Sequence, residues 1–575
     1  MLHSNFNSIR KMIRIKHIVS LLITAPLLFI STSCEKFLDV NENLNDPTAV
    51  PVSTLLTAAE RTIGGSFCLG TTIGNNLALY THQLTGRISG DRYGMTGTGL
   101  GWDGIFQVTA NLDVIIEQGT AESRLAYVGV AKILKAYTFS LMVDIWGDVP
   151  FSEANQFKTG VFQPKFDKGA DIYPQLITLL NEGIADIDNP APNPSKPAAD
   201  DVMYGGNLTR WKKAANTIKL KLLTQQRLVK DVKAEVSALL ANPAGLIDSQ
   251  AESFLLPFGP FGATDDRSPA YGDYIATQRG GALISPWFYE ILKGRNEGIL
   301  TGIEDPRIPY YFYNQKLADG QSENPTEYRD GGFISIVFGS AGPYRDGSNS
   351  NTYTLMGIYP AGGRYDQGLG GSISGTGATS PANAGTGAAP TRLLTYADRL
   401  FLEAELINAG VVDGDEKAVF SKALDASFAQ VDQVVGTYVK PVNQTVPALA
   451  SSDAATEYKE AVLEAFEAAS PAKKLEHIMT QKWIQRYGNP VDNYTDYRRT
   501  GYPVMFDPNN PAHAPGGQVQ PPVNGNHQVV PQAPVPVVNQ TPYPLSLPWP
   551  QAELNINGNA PTQKVPSNAK VFWQP

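Results

Sequence analysis

Cysteine and histidine, the side chains that most often bind transition metals, are scarce in this chain of 575 residues. It contains two cysteines, Cys34 and Cys68, and six histidines that are scattered along its length. Thiolate zinc clusters and iron–sulfur centres draw on larger sets of cysteines, so the chain by itself can hold neither. The histidines form no HExxH pair and no cluster. We therefore expect neither a metal site nor a cofactor.

Charged side chains are also scarce, at 18% of the residues, and their balance is acidic. The 46 lysines and arginines against 55 aspartates and glutamates give a net charge of −9. Nucleic-acid binding needs a grouped basic surface, and here the basic residues are scattered, so we expect no nucleic-acid partner. Glycine, proline, tyrosine and phenylalanine are plentiful by contrast. This mixture predicts long, ordered loops that carry aromatic side chains, a surface suited to neutral polar ligands.

Long apolar runs are absent except near the N-terminus. The segment Ile18–Ile30 is mostly apolar, but it is short of the ~20 residues that a membrane-spanning helix needs. Four basic residues between positions 10 and 16 precede it, and the small residues Ser31, Thr32 and Ser33 lead from it into Cys34. This order is typical of a bacterial lipoprotein signal, although a strict lipobox has Leu where this chain has Ser31.

We therefore predict a signal peptide over residues 1–33, lipid attachment at Cys34 and a polar tether over residues 34–51. Met12 would serve as a start that gives the signal peptide a more usual length. Plain secretion with an unmodified Cys34 is the alternative. If Cys34 carries lipid it cannot form a disulfide, and Cys68 is then expected to be a buried free thiol.

After the tether, apolar residues recur with helical spacing in paired segments. Amphipathic helices that cannot bury their apolar faces alone suggest stacked hairpins, so we predict a mainly α body over 52–575 with little β structure. The predicted hairpins span about 102–146, 171–229, 393–431 and 454–487. Residues 71–100 are predicted to be irregular, about 250–390 to be rich in loops, and the proline-dense insert at about 506–542 to be extended or looped.

Short motifs run through the whole chain. Gly147–Phe151 (GDVPF) follows the second helix of the first predicted hairpin. The most specific run combines Gln481–Trp483 (QKW) with Asp496–Pro503 (DYRRTGYP). The others are Asp39–Asn41, Asn45–Thr48, Trp102 with Asn111, Trp211–Leu220, Asp305–Arg307, Thr395–Glu405, Tyr543–Pro544, Pro550–Asn555 and Val571–Trp573.

In this order the motifs resemble those of the SusD/RagB-like nutrient-binding outer-membrane lipoproteins, and only the proline-rich insert departs from the pattern. The resemblance implies four tetratricopeptide-like helical hairpins packed against an irregular, loop-rich half. It implies a partner, a SusC-like TonB-dependent outer-membrane transporter on which the helical half would dock. It also implies an oligosaccharide or peptide ligand, held by the loop-rich half above the barrel mouth, and a lipid-anchored location on the outer membrane, exposed to the cell exterior.

Ligand contacts are predicted from side-chain chemistry. Sugars offer rows of hydroxyl groups and faintly apolar faces, so their sites combine flat aromatic rings with amide, carboxylate or guanidinium groups. A first region, which the resemblance places near the ligand face, supplies His82, Arg87, Asp91, Arg92, Tyr93 and Trp102. A second supplies Tyr271, Tyr274, Arg279, Trp287 and Tyr289. The ligand-binding residues we select are His82, Arg87, Tyr93, Trp102, Tyr271, Tyr274 and Trp287. A role in the core is the alternative for Trp102, Trp287 and Tyr289, and a structural histidine with satisfied hydrogen bonds is the alternative for His82. A core role is the expectation for Trp146, Trp211 and Trp483.

Two motif-like segments carry less weight. Gly99–Gly104 matches the dinucleotide-binding fingerprint by its letters, but no apolar strand precedes it. Asp39–Val50 begins like a calcium-binding loop, but Leu44 stands where that loop needs glycine and Val50 where it needs glutamate. We therefore assign neither function.

Catalysis by a glycoside hydrolase would need two carboxylates placed across the scissile bond, and such a pair can come from distant positions. Glu403 and Glu405 cannot form it, because residues two apart on a helix do not face each other. We assign them to helix packing and surface hydrogen bonds. No Gly-x-Ser-x-Gly elbow occurs. We therefore predict a binding protein rather than an enzyme. A surface-anchored glycoside hydrolase is the alternative, and a scaffold without a ligand is a third reading.

Overall fold

The computed structural model describes residues 50–87, 92–94, 99–262, 264–275, 282–318, 327–342, 351–373, 384–507 and 541–575. Cys34, the tether before Val50 and most of the proline-rich insert lie outside these residues. From Val52 to Pro575 the chain forms one compact unit.

Helices make up most of the first half of this unit. They are α1 Val52–Ser66, α2 Thr72–Tyr80, α3 Trp102–Ala121, α4 Leu125–Trp146, α5 Gly169–Ile187, α6 Leu208–Gln226 and α7 Lys233–Leu240. Short helices follow in the loop-rich region, namely α8 Pro269–Ile275, α9 Pro286–Leu292, α10 Ile308–Tyr311 and α11 Ile358–Ala361. The later helices are α12 Tyr396–Asn408, α13 Glu416–Gln433, α14 Asp453–Glu467, α15 Pro471–Gln485, α16 Pro490–Thr500 and α17 Gln551–Ile556.

The predicted fold class, mainly α with little β, is confirmed. The helix pairs α3–α4, α5–α6, α12–α13 and α14–α15 occupy the segments in which hairpins were predicted, and the members of each pair pack against each other. Helix α4 is buried on nearly every face, because α3, α5, α6 and α16 pack around it. A Cβ atom on Gly129 of α4 would lie 2.5 Å from the carbonyl oxygen of Gly183 on α5. Only glycine therefore permits this close crossing of the two helices.

Helix α2 contradicts the prediction that residues 71–100 are irregular. Its polar and glycine residues serve as caps and local bonds rather than as loop formers. The Thr71 side chain accepts a hydrogen bond from the backbone N–H of Gly74 and so caps the helix. The Asn76 side chain donates to the carbonyl of Thr72. With its own residues bonded in this way, the helix can bury Leu77 and Tyr80 in the core.

Among the residues that the structure describes, the strands are short and form five antiparallel pairs. The pairs are β1 Leu84–Thr85 with β5 Leu283–Ile284, β2 Val149–Pro150 with β3 Phe166–Asp167, β4 Phe254–Leu256 with β10 Thr391–Leu394, β6 Phe312–Tyr313 with β9 Leu355–Met356, and β7 Tyr328–Asp330 with β8 Phe333–Ser335. Each pair fastens a loop to a neighbouring segment, so the loop-rich region is held by local ladders rather than by one large sheet.

Two large apolar cores support the fold. One lies among the helices from α1 to α6 and includes Trp146, Trp211 and Trp573. The other joins the loop-rich region to the helices α12–α15 and includes Trp483. The prediction that Trp146, Trp211 and Trp483 are core residues is confirmed. Cys68 is a buried free thiol, as expected, and burial raises its pKa to about 11.

A buried ion network joins α6, α12, α15 and α16. Its pairs are Glu405 with Arg499 and Arg227, Asp496 with Arg499 and Lys482, Asp492 with Lys221 and Arg486, and Arg486 with Asp398. The DYRRTGYP motif thus contributes Asp496 and Arg499 to the interior. Glu405 is fully buried, so its assignment to helix packing is correct and its assignment to surface hydrogen bonding is wrong.

Candidate functional site

The β1–β5 ladder brings two of the predicted ligand residues into one neighbourhood. Leu84 lies opposite Ile284, and the backbone N–H of Ser285 donates to the carbonyl of Gln83 at 3.2 Å. His82 stands just before this ladder and Trp287 just after it, at the start of α9. The Phe506 ring contacts both, with its centroid 6.0 Å from that of His82 and 5.8 Å from that of Trp287.

These rings belong to a larger group, the aromatic cluster, which comprises His82, Tyr93, Trp287, Phe338, Tyr497, Phe506 and Tyr543. The Tyr93 ring is central: its centroid lies 5.3 Å from that of Phe338 and 5.1 Å from that of Tyr543. The Tyr543 ring in turn lies 5.1 Å from that of Tyr497. Tyr93, Trp287, Tyr497 and Tyr543 are half-buried, whereas the other members are buried. The cluster therefore presents ring surface to solvent above a closed aromatic base.

The backbone at this site is held in an uncommon conformation. His82 and Tyr93 have φ angles of 54° and 55°, in the left-handed region that bulky residues rarely adopt. Such a residue costs on the order of 1–3 kcal/mol and persists only where its surroundings fix it. Here the Tyr80 hydroxyl donates to the carbonyl of Gly94 at 2.9 Å, and the indole N–H of Trp483 donates to the carbonyl of Thr81 at 3.0 Å.

The polar core of the cluster is uncharged. His82 Nε2 lies 2.8 Å from the hydroxyl of Tyr93. Burial lowers the pKa of His82 to about 3 and raises that of Tyr93, so both side chains are neutral at physiological pH. The other ring nitrogen of His82, Nδ1, is buried and has no hydrogen-bond partner among the described residues. This pair suits a neutral ligand better than an ion.

Hydrogen-bonding groups border the exposed rings. The Trp287 indole N–H donates to the carbonyl of Val504 at 3.3 Å. The Thr541 hydroxyl and backbone N–H both donate to the carbonyl of Arg92, at 2.7 and 3.1 Å. Asp507 is exposed, directly after Phe506. Burial, helped by the Asp507 charge, raises the pKa of Tyr497. A carboxylate and hydroxyl groups thus lie close to flat rings, a combination that suits sugars.

The structure separates the predicted ligand residues into four places. His82, Tyr93 and Trp287 meet in the aromatic cluster, and Arg87 is half-buried at the end of the described segment that follows β1. Trp102 lies elsewhere: it is buried in the first turn of α3, with its ring centroid 5.1 Å from that of Trp146. It is part of the helical core, and it also lines a separate pocket. Asp91 and Arg279 lie outside the described residues.

Tyr271 and Tyr274 also depart from the prediction, because both are buried and their rings lie tilted against each other with centroids 5.3 Å apart. The Tyr271 hydroxyl donates to the carbonyl of Gly385, and a Cβ atom on Gly387 would lie 2.9 Å from the Tyr271 ring. Glycine backbone thus covers these rings, and they offer no surface to a ligand in this arrangement. Tyr289 is likewise buried, stacked on Phe333.

Four members of the cluster were not selected from the sequence. Tyr497 lies in the DYRRTGYP run and Tyr543 in the closing motif, so both stood in quoted motifs without a ligand role. The feature of the sequence that could have identified them as ligand residues is an aromatic side chain inside a polar motif. Phe338 and Phe506 carry no such signal, because they meet His82 only through the tertiary fold.

A separate cleft of about 640 Å³ lies between the 302–310 loop and the 447–461 segment. Tyr310 and Tyr365 form one wall, with ring centroids 4.8 Å apart, and the Tyr310 hydroxyl donates to the carbonyl of Pro447. Proline, alanine and isoleucine make up much of the remaining lining. Glu304, Asp305, Ser452 and Glu457 add polar side chains to this lining. None of the ligand residues predicted from the sequence lines the cleft, so we place the candidate site at the aromatic cluster.

The described residues show neither a group of metal-binding side chains nor a membrane-spanning helix. Within the described part of the chain, no three histidine, cysteine, aspartate or glutamate side chains are grouped as a metal ion would require. None of the helices described there has both the length and the apolar character of a membrane span.

Known proteins of one family are similar to this chain in sequence and in fold. The model of a SusD-like family, described as starch-binding and associating with the outer membrane, matches residues 44–523. The fold is similar to that of a SusD homologue from Bacteroides fragilis, with 19% identity, a TM-score of 0.62, and coverage of 88% of this chain and 94% of that one. A SusD/RagB family protein from Bacteroides thetaiotaomicron shares 17% identity over 91% and 99%, with a TM-score of 0.62. A chitin-binding protein shares 19% identity over 91% and 100%, with a TM-score of 0.63. No protein of curated function matches the chain.

Proposed function

We propose, since this chain belongs to the SusD-like family described as starch-binding and associating with the outer membrane, that it is a surface-exposed lipoprotein that captures an oligosaccharide and delivers it to a SusC-like TonB-dependent transporter. A peptide is the alternative ligand. The protein binds its nutrient and does not cleave it.

The observation that carries this proposal is the aromatic cluster with its partly exposed rings. The apolar face of a sugar ring packs on a flat aromatic side chain, and the sugar hydroxyl groups bond to polar neighbours. Tyr93 and Trp287 would supply the ring surfaces. Arg92 and Asp507 would supply hydrogen bonds at the edge. The His82–Tyr93 pair is uncharged, which favours a neutral glycan over a charged ligand.

Lipid at Cys34 would hold the protein at the membrane beside its transporter. Tethering two partners to one surface raises their effective concentration, so that even a weak contact keeps them together. The helical half would then dock on the transporter, which leaves the loop-rich half to hold the ligand. In this arrangement the protein needs affinity for the nutrient but no catalytic group.

Replacing Trp287 by alanine is expected to weaken glycan binding by about tenfold or more, because an aromatic contact contributes about 0.5–1.5 kcal/mol beyond the area that it buries. The measurement is isothermal titration calorimetry of the detergent-purified lipoprotein with maltoheptaose, chitohexaose and xylohexaose. The matched control is Phe261→Ala, which removes another exposed ring, one that packs on Arg267 rather than on the cluster. This control is expected to bind like the wild type.

Two results would contradict the proposal. If Trp287→Ala binds as tightly as the wild type, the cluster is not the glycan site. If new reducing ends accumulate during incubation, the protein is a hydrolase. If peptides from a library bind and none of the tested glycans does, the ligand is a peptide, which is the alternative stated above.

A further inference from the structure

Three strongly exposed apolar side chains surround a second pocket, away from the aromatic cluster. Phe162, Ile556 and Phe157 expose 77%, 74% and 55% of their surface. All three line a pocket between the start of α3, the 150–164 loop and α17. Burying apolar surface is favourable, so exposed apolar groups that gather around a concave site usually mark a place where something binds.

The floor of this pocket is rigid. Trp102 and Phe106 form it, with ring centroids 5.0 Å apart, and Trp102 is fixed by the core contact with Trp146. The pocket has a volume of about 280 Å³. Sites for small molecules commonly measure about 300–1,000 Å³, so this one has room for a single ring-sized unit with flat apolar faces.

The walls are fastened to the body by side-chain amides. Asn155 donates to the Thr109 hydroxyl at 3.1 Å and to Asp113 at 2.9 Å, which fixes the 150–164 loop on α3. On the other wall, Asn557 donates to the carbonyl of Pro164 at 2.8 Å, and Asn559 donates to that of Gln163 at 2.6 Å. The pocket is therefore already formed before a ligand arrives.

Polar groups at the rim remain available to a ligand. The Asp103 carboxylate is exposed and bonds to no other described side chain. Glu553 uses one carboxylate oxygen to accept a bond from Asn557, which leaves the other oxygen open. Gln156 donates its amide N–H to the carbonyl of Ser152 and keeps its amide oxygen. These acceptors match the hydroxyl groups of a sugar.

We infer that this pocket is a second saccharide site, in which Phe157 and Phe162 stack on one sugar unit while Asp103 and Glu553 accept bonds from its hydroxyl groups. This inference rests on the proposed glycan-binding function. With two sites on one body, a long glycan is held at two points, and its affinity exceeds that of a short oligosaccharide that reaches only one.

The test uses hydrogen–deuterium exchange of the full-length lipoprotein with maltoheptaose, and with chitohexaose and xylohexaose in parallel. Two regions are expected to gain protection, residues 283–290 at the aromatic cluster and residues 150–164 at the pocket. The double variant Phe157→Ser, Phe162→Ser is expected to lose protection only at 150–164. The affinity of this variant is also measured for the polysaccharide built from the same sugar as the oligosaccharide that binds, which is amylopectin in the case of maltoheptaose. That affinity is expected to fall by about tenfold or more, because one of two linked contacts is lost.

The controls keep this test independent of folding. Leu369→Ser removes an apolar side chain that is 72% exposed elsewhere, and it is expected to leave both protections intact. Asp103→Asn keeps the shape of the rim, and it is expected to weaken protection at 150–164 without removing it.

The outcomes separate this inference from the proposed function. Protection at 283–290 without protection at 150–164 rejects the second site alone. Protection at neither place, with any of the three oligosaccharides, rejects the proposed function and this site together. Protection at 150–164 that appears only when the transporter is added identifies the pocket as a protein contact, which also overturns the saccharide assignment.

Discussion

Glu405→Gln is expected to lower the free energy of unfolding by about 3–5 kcal/mol, the cost of breaking a buried ion pair by removing one partner. Glu405 is fully buried on α12, where Arg499 donates to both of its oxygens and Arg227 donates to one of them at 2.8 Å. Glutamine keeps the size of the side chain but not the charge. Two guanidinium groups would then remain buried with too little negative charge to balance them.

The matched control is Glu403→Gln, two residues away on the same helix. Glu403 is partly exposed, and among the described residues its ion pair is with Arg399, at 3.1 Å. Ion pairs in contact with water contribute about 0.2–1 kcal/mol, so this variant is expected to stay within about 1 kcal/mol of the wild type. The measurement is equilibrium unfolding in urea, followed by circular dichroism. Equal losses in the two variants would show that the network does not depend on the Glu405 charge.

The ion pairs of Glu405 also make the free energy of unfolding depend on pH in a direction that can be stated in advance. Burial alone would raise the pKa of Glu405, but the charges of Arg499 and Arg227 outweigh it and hold that pKa well below its usual range. A carboxylate with a lowered pKa in the folded state stabilises the protein above its unfolded pKa, and this contribution is lost as the pH falls. We therefore expect the stability gap between wild type and Glu405→Gln to narrow below about pH 4.3, the usual pKa of a glutamate.

Glu60→Gln is expected to change stability in the opposite direction, and increasingly so as the pH rises. Glu60 is buried on α1, and one of its oxygens accepts hydrogen bonds from the backbone N–H groups of Val202 and Met203, at 2.7 and 3.3 Å. Burial, together with the charge of Asp201 and a hydrogen bond to it, raises the pKa of Glu60 to about 10. The folded protein therefore holds a proton on Glu60 at neutral pH.

The carboxylate of Asp201, next to Glu60, accepts the hydrogen bond that this proton makes. Asp201 accepts hydrogen bonds from the backbone N–H groups of Tyr204 and Gly206, at 2.8 and 2.9 Å, and from the indole N–H of Trp211, at 2.7 Å. Both oxygens of Asp201 thus accept hydrogen bonds, and protonated Glu60 donates to the same side chain. Glutamine reproduces this arrangement without taking up a proton, because its amide N–H donates to Asp201 and its carbonyl oxygen accepts from Val202.

The direction in which pH changes the stability difference between wild type and Glu60→Gln follows from proton linkage. A group whose pKa is raised on folding contributes most below its unfolded pKa, and that contribution falls as the pH rises toward the folded value. Between about pH 5 and 9, wild type is therefore expected to lose stability relative to Glu60→Gln by up to about 1.4 kcal/mol per pH unit. Urea unfolding across this range measures the difference. The exposed Glu457→Gln serves as control, and parallel curves for wild type and Glu60→Gln would show that Glu60 carries no proton in the folded state.

The helical part of the fold could be predicted from the sequence because its causes are local. Apolar residues at helical spacing determine which face of α3 or α5 is buried, and Gly147 ends α4. Helix α2 was missed because capping by Thr71 made a helix out of a segment whose composition favours a loop. Capping depends on one side-chain bond, which composition does not reveal.

The candidate site was predictable only in part, for a different reason. His82 and Trp287 meet because of a two-residue ladder between Leu84 and Ile284, and so short a pairing leaves no periodic signal. Tyr271 and Tyr274 were expected on a ligand face because aromatic residues in a loop-rich segment suggest exposed rings. Backbone at Gly385 and Gly387 covers them instead. Which loop covers which ring is decided by tertiary packing and cannot be deduced from composition.

The most direct test of the central proposal is purification of the protein from outer membranes with its native leader and lipid anchor intact. We expect Cys34 to carry lipid and a large TonB-dependent barrel to be recovered with the protein in nearly equal amounts. A protein that is recovered alone, with Cys34 unmodified, would contradict the proposal.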